Sequence, residues 1–196
     1  MSPSAKPSTA THIRPIQAAD LSTLKSFLSE LSPGTLYFRF GRMSMPMLTE
    51  DQWHELCEPD PLRCAQFVAT QITGSGRYAI VGMARLLPQA SEDGTADCAE
   101  FSLVVADHLQ NQGVGRQLMH TLVGEASRRG LGLIYGDVLP SNTTMLSFCE
   151  GLGFVLRASP DDSRIHRMML SIKKAQGINN LPLAPASMVN ASRLQA

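Results

Sequence analysis

The chain has 196 residues, 43% of them hydrophobic, and its 17 Lys plus Arg balance its 17 Asp plus Glu for a formal net charge of +0. That length and apolar content fit one domain with a sizeable core, and the even charge excludes a nucleic-acid partner held by a basic stripe. No apolar run reaches the roughly 20 residues of a membrane-spanning helix, and the polar start MSPSAKPSTA lacks a signal-peptide apolar region, so no membrane partner and a cytoplasmic location are expected.

Residues 1–11 are small and polar and read as a flexible tail. A short strand is expected over residues 12–16. Asp20 stands where a helix cap belongs, and Leu21, Leu24, Phe27, Leu28 and Leu31 then recur on one helical face. A second short helix is expected over residues 35–40. Thr49 with Gln52 three residues later forms a capping box for a third. The methionine-rich GRMSMPML between them is either gap filling or a soft wall for a substrate.

Residues 63–70 and 78–87 read as antiparallel strands across the turn TGSGR, and residues 97–105 as another strand. A helix over 113–129, a strand over 131–139 and a helix over 142–150 follow, and 154–158 with 164–172 can close a hairpin. The alternation is α+β around one central mixed sheet. After Lys174 the sequence loses periodicity, which gives a single domain over residues 12–173 and a second tail over 174–196. The alternative for that tail is an anchor on a partner subunit through Leu181, Leu183 and Met188.

Cys57, Cys64, Cys98 and Cys149 lack CxxC spacing and the five histidines form no HExxH pair, so reduced thiols and no metal site are expected.

The most informative stretch is residues 101–129, FSLVVADHLQNQGVGRQLMHTLVGEASRR. An apolar strand, a glycine-rich turn and a helix follow one another directly. The helix start presents unpaired N–H groups and the positive dipole end, which together hold a phosphate. In the turn, Gln110, Asn111, Gln112, Gly113, Val114 and Gly115 precede Arg116. The two glycines remove side chains where a pyrophosphate would meet a Cβ, and Arg116 adds a bidentate cation. The plainer alternative is that they only permit a tight helix start. A P-loop would need GxxxxGK[ST], and a dinucleotide fingerprint would need a third glycine where Arg116 to His120 continue the helix.

Gln110, Gly113 and Gly115 resemble, residue by residue, the Q/R-x-x-G-x-G/A motif of the GCN5-related N-acetyltransferases (GNATs). The stretch from Asn142 to Phe154, NTTMLSFCEGLGF, is similar to the family's second conserved segment, and RPIQAAD over 14–20 looks like its first strand and helix start. The resemblance spans roughly residues 13–170. Within the family, LSPGTLYFRF over 31–40 and AEFSLVV over 99–105 are most similar to bacterial protein-lysine acetyltransferases of the Pat type.

The resemblance implies the GNAT fold: helices on both faces of a mixed, mostly antiparallel sheet, with the strand of Val104 splayed from the strand of Val138. It implies acetyl-CoA as donor, with pantetheine bonded to backbone at Leu103, Val104 and Val105, its phosphates at residues 110–116, and Asn142 meeting the coenzyme while capping its helix. Acetyl transfer to an amine in a ternary complex requires the amine to lose a proton, and Glu100 matches the glutamate proposed as base in Pat-type enzymes. Cys149 stands where many members carry a tyrosine that protonates the leaving thiolate. It either takes that acid role or packs the apolar side of its helix. The acceptor expected is a protein lysine, with a polyamine or amino sugar as the alternative. A non-catalytic acyl-CoA sensor is a third reading, and the protein is expected to be a monomer or homodimer.

Overall fold

The computed structural model describes residues 10–45, 47–73, 76–89, 97–159, 162 and 164–172. The second tail, and the first apart from residues 10 and 11, lie outside the described residues. Seven strands form one sheet: β1 (His12–Pro15), β2 (Ala65–Ile72), β3 (Tyr78–Gln89), β4 (Cys98–Val105), β5 (Leu133–Val138), β6 (Val155–Ala158) and β7 (His166–Ser171). Their order is β1-β2-β3-β4-β5-β7-β6, and every neighbouring pair is antiparallel except β4 and β5. The one parallel pair follows from the connection, because the chain leaves the end of β4 and returns through a helix to the start of β5.

Among the described residues, five α-helices cover the sheet: α1 (Leu21–Ser29), α2 (Pro33–Phe40), α3 (Glu50–Cys57), α4 (Val114–Arg128) and α5 (Thr143–Glu150). Side-chain alternation assigns the faces. Odd-numbered residues of β4 face α4: a Cβ at Gly115 would lie 3.7 Å from Leu103 and 3.8 Å from Val105. Even-numbered residues face α2, whose Arg39 bonds Ser102. Gln66 of β2 reaches α3 on that same face through the Leu56 carbonyl. The α4 stripe of Val114, Leu118, Met119, Leu122 and Ala126 is buried. Burial of each of its large side chains stabilises by about 1.5–3 kcal/mol.

Two helix starts differ from what the sequence suggests. Asp20 does not cap α1 with its side chain, because Arg14 takes both carboxylate oxygens at 2.6 and 2.7 Å and the Gln17 amide takes a further bond. A short 3-10 turn over Ala18–Asp20 leads into the helix instead. The second helix begins at Pro33, where Ser32 accepts from the Thr35 amide and Pro33 sits in the first turn. The Thr49–Gln52 capping box of α3 is present as read.

Candidate active site

Strands β4 and β5 pair only where they begin. Cys98, Ala99 and Glu100 lie opposite Leu133, Ile134 and Tyr135. Beyond that point Phe101–Val105 pair with β3 alone, and Gly136, Asp137 and Val138 pair with β7 alone. The sheet therefore forks, and the β5-facing edge of Leu103, Val104 and Val105 has no strand laddered to it. Backbone polar groups on such an edge must bond something other than sheet. The fork is braced at its base by Phe101, whose ring packs edge-on against Phe154 at 5.3 Å and fills the space over Gly136.

Beyond the end of β4 the chain passes through the turn into α4. Asn111 and Gly113 both adopt left-handed backbone, with φ of 63° and 85°. Asparagine tolerates that region and glycine has no penalty there. Gly113 is the N-cap of α4 and supplies no capping side chain, so the amides of the first helical turn, Val114, Gly115 and Arg116, lack an intrahelical or side-chain acceptor. The adjoining segment is fixed by polar contacts. Gln110 donates through Nε2 to the Val105 carbonyl and the Thr35 hydroxyl, both at 3.2 Å, while Gln112 donates to the His108 carbonyl at 2.8 Å.

Glu100, half-buried, is the last β4 residue laddered to β5 and stands at the vertex of the fork, between Leu87 and Tyr135. Burial, then the Glu100 carboxylate, pushes the Tyr135 phenol above its usual range, against the pull of Arg167. Arg167 lies 4.3 Å over the Tyr135 ring and forms a two-pronged bond to Asp137, both prongs 2.8 Å.

The sequence matches the family described as Acetyltransferase (GNAT) over residues 34–154, from within α2 to the Gly-Phe that follows α5. It is 33% identical over 163 residues to an acetyltransferase of Pseudomonas aeruginosa, covering 81% of this chain and 83% of that one. The chain belongs to the acetyltransferase (GNAT) family. It is also 26% identical over 89 residues to the [ribosomal protein bS18]-alanine N-acetyltransferase of Escherichia coli, across 45% of this chain and 55% of that protein. Among solved structures, the GNAT domain of Streptomyces lividans PAT superposes with a TM-score of 0.71 at 25% identity, covering 82% of this chain and 90% of that one. A putative acetyltransferase of Salmonella typhimurium, solved with its cofactor acetyl-CoA, has the same fold, with a TM-score of 0.65 at 21% identity over 90% of this chain and 98% of that one.

The second GNAT-like stretch packs behind the turn. Asn142 is buried, and its Oδ1 accepts from the Met145 amide at 3.2 Å, capping α5. Phe148 of α5 comes within 3.9 Å of where a Gly115 Cβ would stand. Cys149 is fully buried, and burial followed by Glu150 pushes its thiol far above the usual range. Arg116 is half-buried on the first turn of α4.

Two groups of residues near the site were given no role by the sequence reading. One joins α2 to the turn: Asp107 accepts from the Ser32 amide and hydroxyl at 2.9 and 2.6 Å and from the Thr35 hydroxyl at 2.7 Å. Burial alone would raise the Asp107 carboxyl, but the Ser32 and Thr35 bonds outweigh it and hold it below the usual carboxylate range. The Ser32-Pro33 pair was a legible helix start, but its link to Asp107, 75 residues away, has no local signal. The other is Arg39, 1% exposed, which donates from Nη2 to Ser102 at 3.2 Å while Nε and Nη1 have no partner.

Proposed function

We propose that the protein transfers an acetyl group from acetyl-CoA to a primary amine, above all a protein lysine, by direct attack within a ternary complex. The observation that carries this reading is the fork between β4 and β5 opening onto the uncapped first turn of α4. That combination fits the coenzyme. A free strand edge takes an amide-bearing arm as it would take another strand, and unpaired helix amides take phosphate. The residues assigned to it are the backbone of Leu103, Val104 and Val105, the turn of Gln110, Asn111, Gln112, Gly113, Val114 and Gly115, Arg116, and Asn142. When bound, acetyl-CoA supplies the acyl carbon as a thioester.

Glu100 is assigned the proton. A lysine amine, with a pKa of about 10.4 in models, is almost wholly protonated at neutral pH, so a carboxylate at the fork's vertex that accepts its proton raises the nucleophilic fraction. Attack then forms the C–N bond and the C–S bond breaks with its electron pair on sulfur, the second proton of the amine passing to the departing thiolate, so that the products are the amide and the free thiol of CoA. Cys149 is assigned to packing, since a buried thiol with a raised pKa holds its proton poorly placed for transfer into an open cleft. The choice of protein lysine rests on the likeness of residues 31–40 and 99–105 to Pat-type enzymes, and agrees with a protein acceptor in the bS18-alanine relative.

The test is thiol release from acetyl-CoA against peptide lysines, polyamines and amino sugars, with acetyl-CoA binding followed in parallel, for the natural protein and for E100Q. Lysine-dependent release that falls by about 10²–10⁴ in E100Q is expected. Release with small amines alone would reassign the acceptor, binding without release from any amine would make the protein an acyl-CoA sensor, and an undiminished E100Q would remove the base.

A further inference from the structure

Building on that reading of Glu100, we infer that Arg39 is a positioning residue that keeps the Glu100 carboxylate ionised, acting through the protein interior without touching either substrate. The geometry begins with α2, which lays Arg39 on the even-numbered face of β4 and fixes it by one bond to Ser102. Ser102 and Glu100 are two residues apart on one strand, so their side chains stand on the same face. The guanidinium is 1% exposed, and two of its three nitrogens find no acceptor. A contact with the Phe40 ring at 5.4 Å offsets part of the cost.

A buried cation in that state is expensive. Arginine keeps its charge at neutral pH, so it cannot relieve the burial by losing a proton as lysine would. A methionine of comparable length would fill the same space without a charge to desolvate. A position that holds a destabilising charge in a dry site is a candidate for function. Its near-complete burial separates two roles. A docked acceptor would have to displace α2 to reach the guanidinium, whereas Glu100 feels the charge through the low-dielectric interior without any movement.

Among the described residues, the charged and titratable groups around Glu100 come from five elements. Arg39 on α2 is attracted to it, and Arg85 on β3, whose Nε reaches Cys64 Sγ at 3.0 Å, stands opposite Ser102 and repels Arg39. Cys98 lies two residues earlier on β4, and Tyr135 is its partner on β5. Arg167 on β7 forms an ion pair with Asp137 and lies over the Tyr135 ring. Among the described residues around Glu100, Arg167 spends its charge on Asp137, while Arg39 and Arg85 lack a carboxylate, and Arg39 is the one of these two that is fully buried.

The test compares kcat/KM against pH for the natural enzyme, R39M, R39K and E100Q, together with thermal unfolding. Loss of Arg39 should let Glu100 hold its proton to higher pH, so the acidic limb of the R39M profile should move up by about 1 unit. Activity should recover at the alkaline end, and the amine KM should stay unchanged. R39K, whose buried amine can shed its proton, should move its limb up with that of R39M, and the unfolding temperature of R39M should hold or rise. An R39M limb that stays in place while E100Q is impaired overturns the role of Arg39 and leaves the base standing. A raised amine KM with an unmoved limb would instead make Arg39 an acceptor contact. If E100Q keeps full turnover, the base and the role of Arg39 both fall. Should R39M not fold, an R39K limb moved up by about 1 unit would sustain the role, and an unmoved limb would overturn it.

Discussion

Replacing Gly136 by alanine tests how the fork is built. A Cβ there would stand 2.7 Å from two atoms of the Phe101 ring and 3.1 Å from a third, closer than such contacts ever come, so something must shift. The ring has little room to yield, being 3% exposed and packed edge-on against Phe154 at 5.3 Å. Overpacking of this kind destabilises by about 1–3 kcal/mol. In a chain of this length that lowers the unfolding temperature by about 2–12 °C. Gly136 is the first β5 residue past the β4–β5 ladder, so the displaced ring should also disturb the base of the cleft and weaken acetyl-CoA binding. Urea unfolding and coenzyme titration of G136A, F101L and the double variant provide the assay. The smaller leucine should relieve the clash, making the double variant more stable than the sum of the singles by about 0.5–3 kcal/mol. A G136A protein within about 0.5 kcal/mol of the natural one, or strictly additive singles, would show that Phe101 does not brace the fork.

Two further outcomes follow from the surroundings of the turn. In D107N one of the donors from Ser32 or Thr35 must face an amide NH2, which should loosen the link between α2 and the Gln110 turn by about 1 kcal/mol, a modest figure because the cluster is exposed. Acetyl-CoA affinity should fall roughly five-fold if that energy is felt at the turn. Because the carboxyl is held below its ordinary range when folded, its contribution is complete above the unfolded pKa of about 3.9 and disappears as pH falls through the folded value. The stability gap between the natural protein and D107N should accordingly shrink below about pH 4, and a gap that persists unchanged there would show the cause to be steric. For C149A, unfolding should reveal a loss of about 1–2 kcal/mol from the cavity, with kcat little altered. A fall in kcat of about 10²-fold with coenzyme binding intact would instead mark the thiol as an acid.

The amino-acid sequence by itself determined the order of elements and the two stretches that mark the family, because both are local. The strand and helix periods over residues 97–129, the glycines at 113 and 115, the Thr49–Gln52 box and the Asn142 cap each act within a few residues of themselves. Where a helix start depended on a distant partner, local reading went astray: Asp20 has the look of a cap, but Arg14 occupies its carboxylate across the strand-to-helix turn. The splay between the strands of Val104 and Val138 was implied by the family resemblance, but where it starts is a tertiary matter: the β4–β5 ladder stops at Glu100, which turns an apolar strand into one wall of a cleft. Tertiary structure alone brought Asp107 to Ser32 across 75 residues and pressed Arg39 against Ser102 across 63. An arginine in the middle of LYFRF has the same local pattern whether it faces water or the interior, and only the packing of α2 on the sheet buries its charge beside Glu100.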